Sequence, residues 1–179
     1  MSGYSIKVPP ESRVTIREAA SVTRLVLEKK YGIDSLYLPI IEMLEFTLPE
    51  LDPEFSFEVW PESRMQGNHG LTDPSEKTII LREDVYERAL EGHGRDRMTA
   101  AHELGHYVLH SNLNMKFARA DGDLKPYENS EWQANCFGGE LLVPYVKRHL
   151  LLGKSTAEIA EACGISLEAA EYQRKFLKL

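Results

Sequence analysis

The run Arg97-Met98-Thr99-Ala100-Ala101-His102-Glu103-Leu104-Gly105-His106, continued by Tyr107-Val108-Leu109-His110, decides how this chain is read. Met98, Ala101, Leu104, Gly105, Val108 and Leu109 recur at helical spacing, so the segment from about Asp96 to His110 reads as a helix with that arc toward a core. His102 and His106 are four residues apart. A helix of 3.6 residues per turn sets both imidazoles on one flank, within reach of one metal ion. Glu103 projects about 100° round from His102 and further out from the core, too far to ligate beside the histidines. It is placed instead to face a water on the open side of the ion, as a general base.

Catalytic zinc takes three protein ligands and a water, so a third donor is expected downstream on another element. The candidates are His110, Asp121, Asp123, Glu128 and Glu131, with Cys136 a remote one. His110 is two turns from His102, roughly 12 Å along the axis, and is expected to pack or hydrogen-bond rather than ligate. Asp121 and Asp123 sit in a polar loop where carboxylates are usually solvated, Glu128 is the runner-up, and a lone buried-type cysteine is more often core. Glu131 fits best. It opens the helix Glu131-Trp132-Gln133-Ala134-Asn135-Cys136-Phe137, and Asn135 lies one turn further along the same face. The Asn135 amide is placed to accept from the free ring N–H of a ligating histidine, fixing its tautomer.

Upstream, a helix is expected from about Val14 to Tyr31, stopped at Gly32, then a short one from Leu38 to Phe46 and a proline-marked connector from Pro49 to Pro53. Phe55, Phe57 and Val59 alternate with polar neighbours and read as a strand. Turns at Gly67–Gly70 and Asp73–Glu76 precede a second strand, Thr78–Leu81, and a small antiparallel sheet is the economical arrangement. Gly92-His93-Gly94 breaks the chain before the histidine helix. Residues 111–129 lack periodicity, Ser130 reads as the N-cap of a helix ending at Leu142, and Ser155–Leu179 reads as two short helices meeting at Gly164. The expected fold class is α+β: mainly helical, with a small sheet beside the histidine helix and a C-terminal helical corner. One domain spans 1–179, its metal-site core at 97–144 and a helix-turn-helix-like element at 154–179.

Composition bounds the function. With 42% hydrophobic and 27% charged residues the chain is an ordinary globular one. A net charge of -7 and a pI near 5.4 argue against a broad nucleic-acid interface, which needs a basic surface to displace counterions. Two cysteines, Cys136 and Cys163, are too few for a disulfide-built secreted fold. No leader opens the chain and no apolar run approaches a membrane span, so a cytoplasmic protein without a membrane partner is expected. Oligomeric state is not legible.

The block Arg97–His110 resembles the core of the ImmA/IrrE metallopeptidases. Glu131-x-x-Ala134-Asn135-x-Phe137, leading into Leu141-Leu142-Val143-Pro144, is similar to that family's second motif. The likeness is sharp over 97–144 and looser on either side. It implies Zn2+ held by His102, His106 and Glu131, with Glu103 activating water. It also implies a bacterial or prophage setting and, as partner, a helix-turn-helix repressor that is cleaved or otherwise inactivated. One departure is Gly138-Gly139, where the family usually has alanines; each glycine costs a helix roughly 1 kcal/mol. Either the backbone approaches something closely there or the helix is soft.

A substrate is expected to add to an exposed sheet edge, with Thr78–Leu81 one candidate. His69, Tyr107, Tyr127 and His149 are candidate oxyanion donors. Two other classes remain. Ala157–Ser166 has the pattern of a helix-turn-helix corner, which would suit a DNA-binding regulator, yet the would-be recognition helix carries Glu168 and Glu171. A zinc-containing interaction module that binds without cutting is the other.

Overall fold

Ser12 starts the first helix: its side chain accepts from the Thr15 N–H, and α1 (Arg13–Tyr31) runs to Gly32, left-handed at φ 67°. The computed structural model describes residues 6–111 and 124–178; Asp121 and Asp123 lie outside them. A buried rod follows, made of α2 (Ile40–Glu42), a π turn (Met43–Thr47) and α3 (Leu48–Leu51). It runs past Leu48-Pro49, where a stop is expected, because Pro49 falls in the first turn of α3, where a missing N–H is tolerated.

Three strands form the sheet: β1 (Ser56–Trp60), β2 (Gly70–Asp73) and β3 (Thr78–Arg82), with the short α4 (Glu62–Met65) between the first two. Their order is β1-β3-β2. The sheet is mixed, not antiparallel as expected. β2 and β3 form an antiparallel hairpin, whereas β1 pairs with β3 in parallel, Ser56 opposite Thr78 and Trp60 opposite Arg82. The cause is β2 itself, a four-residue strand hidden between two turn signals. Its presence reverses the chain once more before β3. Thr78–Leu81 is therefore the central strand, and β2 is an edge. At the hairpin, Asp73 Oδ1 accepts from the Ser75 and Glu76 N–H groups.

After α5 (Glu83–Leu90), α6 (Gly94–His110) carries the two histidines and α7 (Ser130–Leu142) carries Glu131. The α7 cap is Asn129 rather than Ser130: its side chain accepts from the Glu131 and Trp132 N–H groups, while Ser130 Oγ meets the Ile6 N–H at 3.2 Å. α6 and α7 lie unusually close. A Cβ on Gly105 would come 3.0 Å from Ala134 Cα, and one on Gly138 would come 3.1 Å from His102 N. The glycine pair thus marks close approach: Gly138 admits the histidine helix, and Gly139 faces the Gln173 amide.

Two clamps lock the periphery to this pair. Buried Glu140 of α7 takes Arg13 and Arg17 of α1, each at 2.9 Å, and Arg13 also donates to Gln173 Oε1 at 2.8 Å. The C-terminal corner, α8 (Thr156–Cys163) and α9 (Leu167–Leu177), turns at Gly164 with φ 63°. Arg97 of α6 donates to the Gly164 carbonyl at 2.7 Å, and Gly94 abuts Ile165. Among the described residues no helix is long and apolar enough to cross a membrane.

Candidate metal centre

Side by side, α6 and α7 bring His102, His106 and Glu131 to one point. The two Nε2 atoms lie 3.1 Å apart; Glu131 Oε2 is 3.3 Å from His102 Nε2, and Oε1 is 3.1 Å from His106 Nε2. Two imidazole nitrogens and a carboxylate are the donor types zinc takes, and a tetrahedral ion with bonds of 2.0–2.1 Å sets neighbouring donors about 3.3 Å apart. The three residues fit such an ion in chemistry and spacing, and they form the one group among the described residues able to hold a metal. Glu128 lies apart, 3.7 Å from Lys7. Cys136 is buried, which pushes its thiol up to about 11.

The site is electrostatically taut. Burial lowers the His102 pKa, but the hydrogen bond to Glu131 and the charges of Glu103 and Glu131 outweigh it and raise it overall. Burial pushes Glu131 up, yet its bonds to both histidines hold it well below the usual carboxylate range. His102 Nδ1 faces Asn135 Oδ1 at 3.1 Å, the contact expected from helix spacing. His106 Nδ1 faces His110 Nδ1 at 3.2 Å, and His110 Nε2 faces Gln133 Oε1 at 3.1 Å. His110 is fully buried; burial above all, with the Gln133 bond opposing it, brings its pKa down to about 4, so the ring is neutral at pH 7.

Glu103 is buried, at 6% exposure, and does not point out to solvent as a wheel of the isolated helix suggests. β2 crosses over it. Thr72 Oγ1 donates to Glu103 Oε2 at 2.7 Å, and a Cβ on Gly70 would come 2.7 Å from Glu103 Cγ. The Arg82 N–H bonds the His69 carbonyl at 3.0 Å, and the alternation of an antiparallel ladder then turns the Gly70 and Thr72 backbone groups toward the outer edge of β2. Residue spacing cannot reveal Thr72, Gly70 or Gln133, because their partners are remote in sequence. His110 did carry a signal, its four-residue spacing from His106.

A cleft of about 770 Å³ runs past this point, with β2 on one side and α9 on the other. Leu71, Met98, Trp132, Ala169 and Tyr172 give it apolar walls, and Glu103, His102, His106 and Glu131 line it. Of the four oxyanion candidates, His69 lines the cleft. Tyr107 instead donates to Asp52 at 2.7 Å, Tyr127 is exposed with its carbonyl accepting from Gln133, and His149 is exposed. On α9, Glu168, Ala169, Tyr172 and Gln173 line the cleft.

A histidine pair, a carboxylate on the next helix and a buried glutamate under a sheet edge define the class: the centre has the layout of a metallopeptidase. The peptidase M78 family, the IrrE N-terminal-like domain, matches residues 54–174, and the chain belongs to this metallopeptidase family. A transcriptional regulator from Mycobacterium tuberculosis has a similar fold, with a TM-score of 0.56 at 17% identity over 88% of this chain and 46% of that one. The chain thus spans less than half of that protein's length, and the likeness concerns the fold alone. No curated protein matches at a significant level.

Proposed function

We propose that the chain is a zinc-dependent endopeptidase that cleaves a helix-turn-helix transcriptional repressor in the cytoplasm, in a bacterial or prophage regulatory system. The observation that carries this reading is the convergence of His102, His106 and Glu131 beside a buried Glu103 in a chain of the M78 family. A zinc ion held there supplies a Lewis acid that polarises the scissile carbonyl and makes water acidic near neutral pH.

The remaining steps belong to the protein. Glu103 takes the proton of the attacking water and passes it to the leaving amine. Thr72 holds the Glu103 carboxylate still between those transfers. The free edge of β2, rather than Thr78–Leu81, receives the substrate as an added strand, so that main-chain hydrogen bonds lay one peptide bond across the cleft. His69 is the oxyanion donor the cleft offers: burial, then the charges of Arg82 and Arg95, lower its pKa and keep the ring a neutral donor.

The test is incubation with a helix-turn-helix repressor encoded beside the gene, with and without a chelator. Zinc-dependent fragments support the reading. Binding without cleavage, unaffected by the chelator, would establish the interaction module instead.

A further inference from the structure

Beyond the three donors, a chain of hydrogen bonds runs from His106 into the protein interior. It ends at Gln133, which is 1% exposed, as is His110. The Gln133 amide nitrogen donates to the Pro9 carbonyl at 2.8 Å and to the Tyr127 carbonyl at 2.9 Å. Carbonyls only accept, so both amide hydrogens are committed and the orientation of the amide is settled without reference to any histidine. Its Oε1 is then an acceptor, and the atom 3.1 Å away, His110 Nε2, carries a proton. Two ring nitrogens that face each other at 3.2 Å hold one hydrogen between them, and a ring 1% exposed whose other nitrogen already carries a proton keeps this one bare rather than take up a buried charge. His110 Nδ1 therefore accepts from His106 Nδ1 at 3.2 Å, so the nitrogen that His106 can give up to a metal is Nε2, beside Glu131 Oε1 at 3.1 Å.

We propose that His110 and Gln133 are positioning residues that hold His106 in the tautomer with Nε2 free to bind the metal. The inference rests on the metal-centre reading above and adds how one ligand is prepared before the ion arrives. His102 is held differently: its partner Asn135 is exposed. The relay ties the Pro9 and Tyr127 carbonyls, through Gln133, to the metal centre. Pro9 is held there by its own strand-like pairing, Val8 N–H to the Glu128 carbonyl at 2.9 Å and Ser130 N–H to the Ile6 carbonyl at 3.1 Å.

Zinc affinity of the full chain, measured by competition with a chromophoric chelator, tests the relay. Loss of an outer partner of a metal-binding histidine lowers affinity about 10–100-fold, and that is the loss expected for His110→Phe. His110→Asn sets its Oδ1 where ring Nδ1 was, restores the acceptor for His106 and recovers most of the affinity. His110→Gln sets its amide out at the Nε2 position and does not. Equal losses in all three variants, or wild-type affinity in His110→Phe, overturn the relay. If His110→Phe does not fold, nitrogen-resolved NMR of the metal-free wild type decides: His110 is expected protonated at Nε2 and bare at Nδ1, and the reverse overturns the proposal. His106→Ala and Glu131→Ala are the controls. Wild-type affinity in those two would sink the metal-centre reading itself, a different result from failure of the relay.

Discussion

Thr72 Oγ1 lies 2.7 Å from Glu103 Oε2 and 3.0 Å from the Glu103 carbonyl, so one hydroxyl on a sheet edge sits against both the carboxylate and the helix backbone of the residue placed to move protons. A hydroxyl has one hydrogen, and the shorter contact, to the charged oxygen, is the one it serves.

Thr72→Val keeps the shape and removes that donor. A hydrogen bond to a charged group contributes about 1.5–3 kcal/mol, so kcat/KM for a cleavable substrate is expected to fall roughly 10–100-fold. Zinc content, read by metal analysis, stays at the wild-type level. A simultaneous loss of zinc would mean that Thr72 supports the donors rather than the base.

Gly70→Ala probes the same corner from the backbone side. The added methyl would come 2.7 Å from Glu103 Cγ and Oε1, so the carboxylate must swing away. Activity is expected to drop as far as in Glu103→Gln, by about 10²–10⁴-fold if the carboxylate is the general base. Both variants keep their metal. A fully active Gly70→Ala protein would show that the Glu103 position is not critical.

Removing the metal exposes its contribution to the fold. An ion present at about a hundred times its dissociation constant stabilises the folded chain by about 2.7 kcal/mol, which for a protein of this size is a Tm change of roughly 5–10 °C. Chelation is expected to lower the melting temperature of the wild type by that amount and to leave Glu131→Ala unchanged. Calorimetry with and without chelator checks this.

The pH dependence of the two forms should run in opposite directions. In the metal-free protein the His102 pKa is raised above 6.5, chiefly because the Glu131 bond overcomes the effect of burial. Protonated His102 paired with Glu131 thus adds stability that is fully present below pH 6.5 and is lost as pH rises through the higher folded value. Zinc needs the bare Nε2, so its affinity rises across that same window and its binding releases a proton. Titration calorimetry in buffers of different ionisation enthalpy measures the release; affinity that falls with rising pH in this window would contradict the donor assignment.

Local spacing declared a good deal of this molecule. His102 and His106 share a flank because any helix puts positions four apart together, and Asn135 follows Glu131 onto one face for the same reason. The caps at Ser12, Gly32, Ser155 and Gly164 are equally local: a side-chain oxygen meets a free N–H, or a glycine enters left-handed backbone. What spacing could not settle is anything that needs two distant segments at once. β2 is too short to show a period, so the parallel pairing of β1 with β3, the burial of Glu103 and its bond to Thr72 emerge only when the sheet is laid over α6. Gly138 is a fault in a helix until Ala101 and His102 are seen against it. Hydrogen bonds within a helix turn are written in the order of the residues; those from Gln133 to Pro9, or from Thr72 to Glu103, depend on packing, which joins positions that sequence keeps apart.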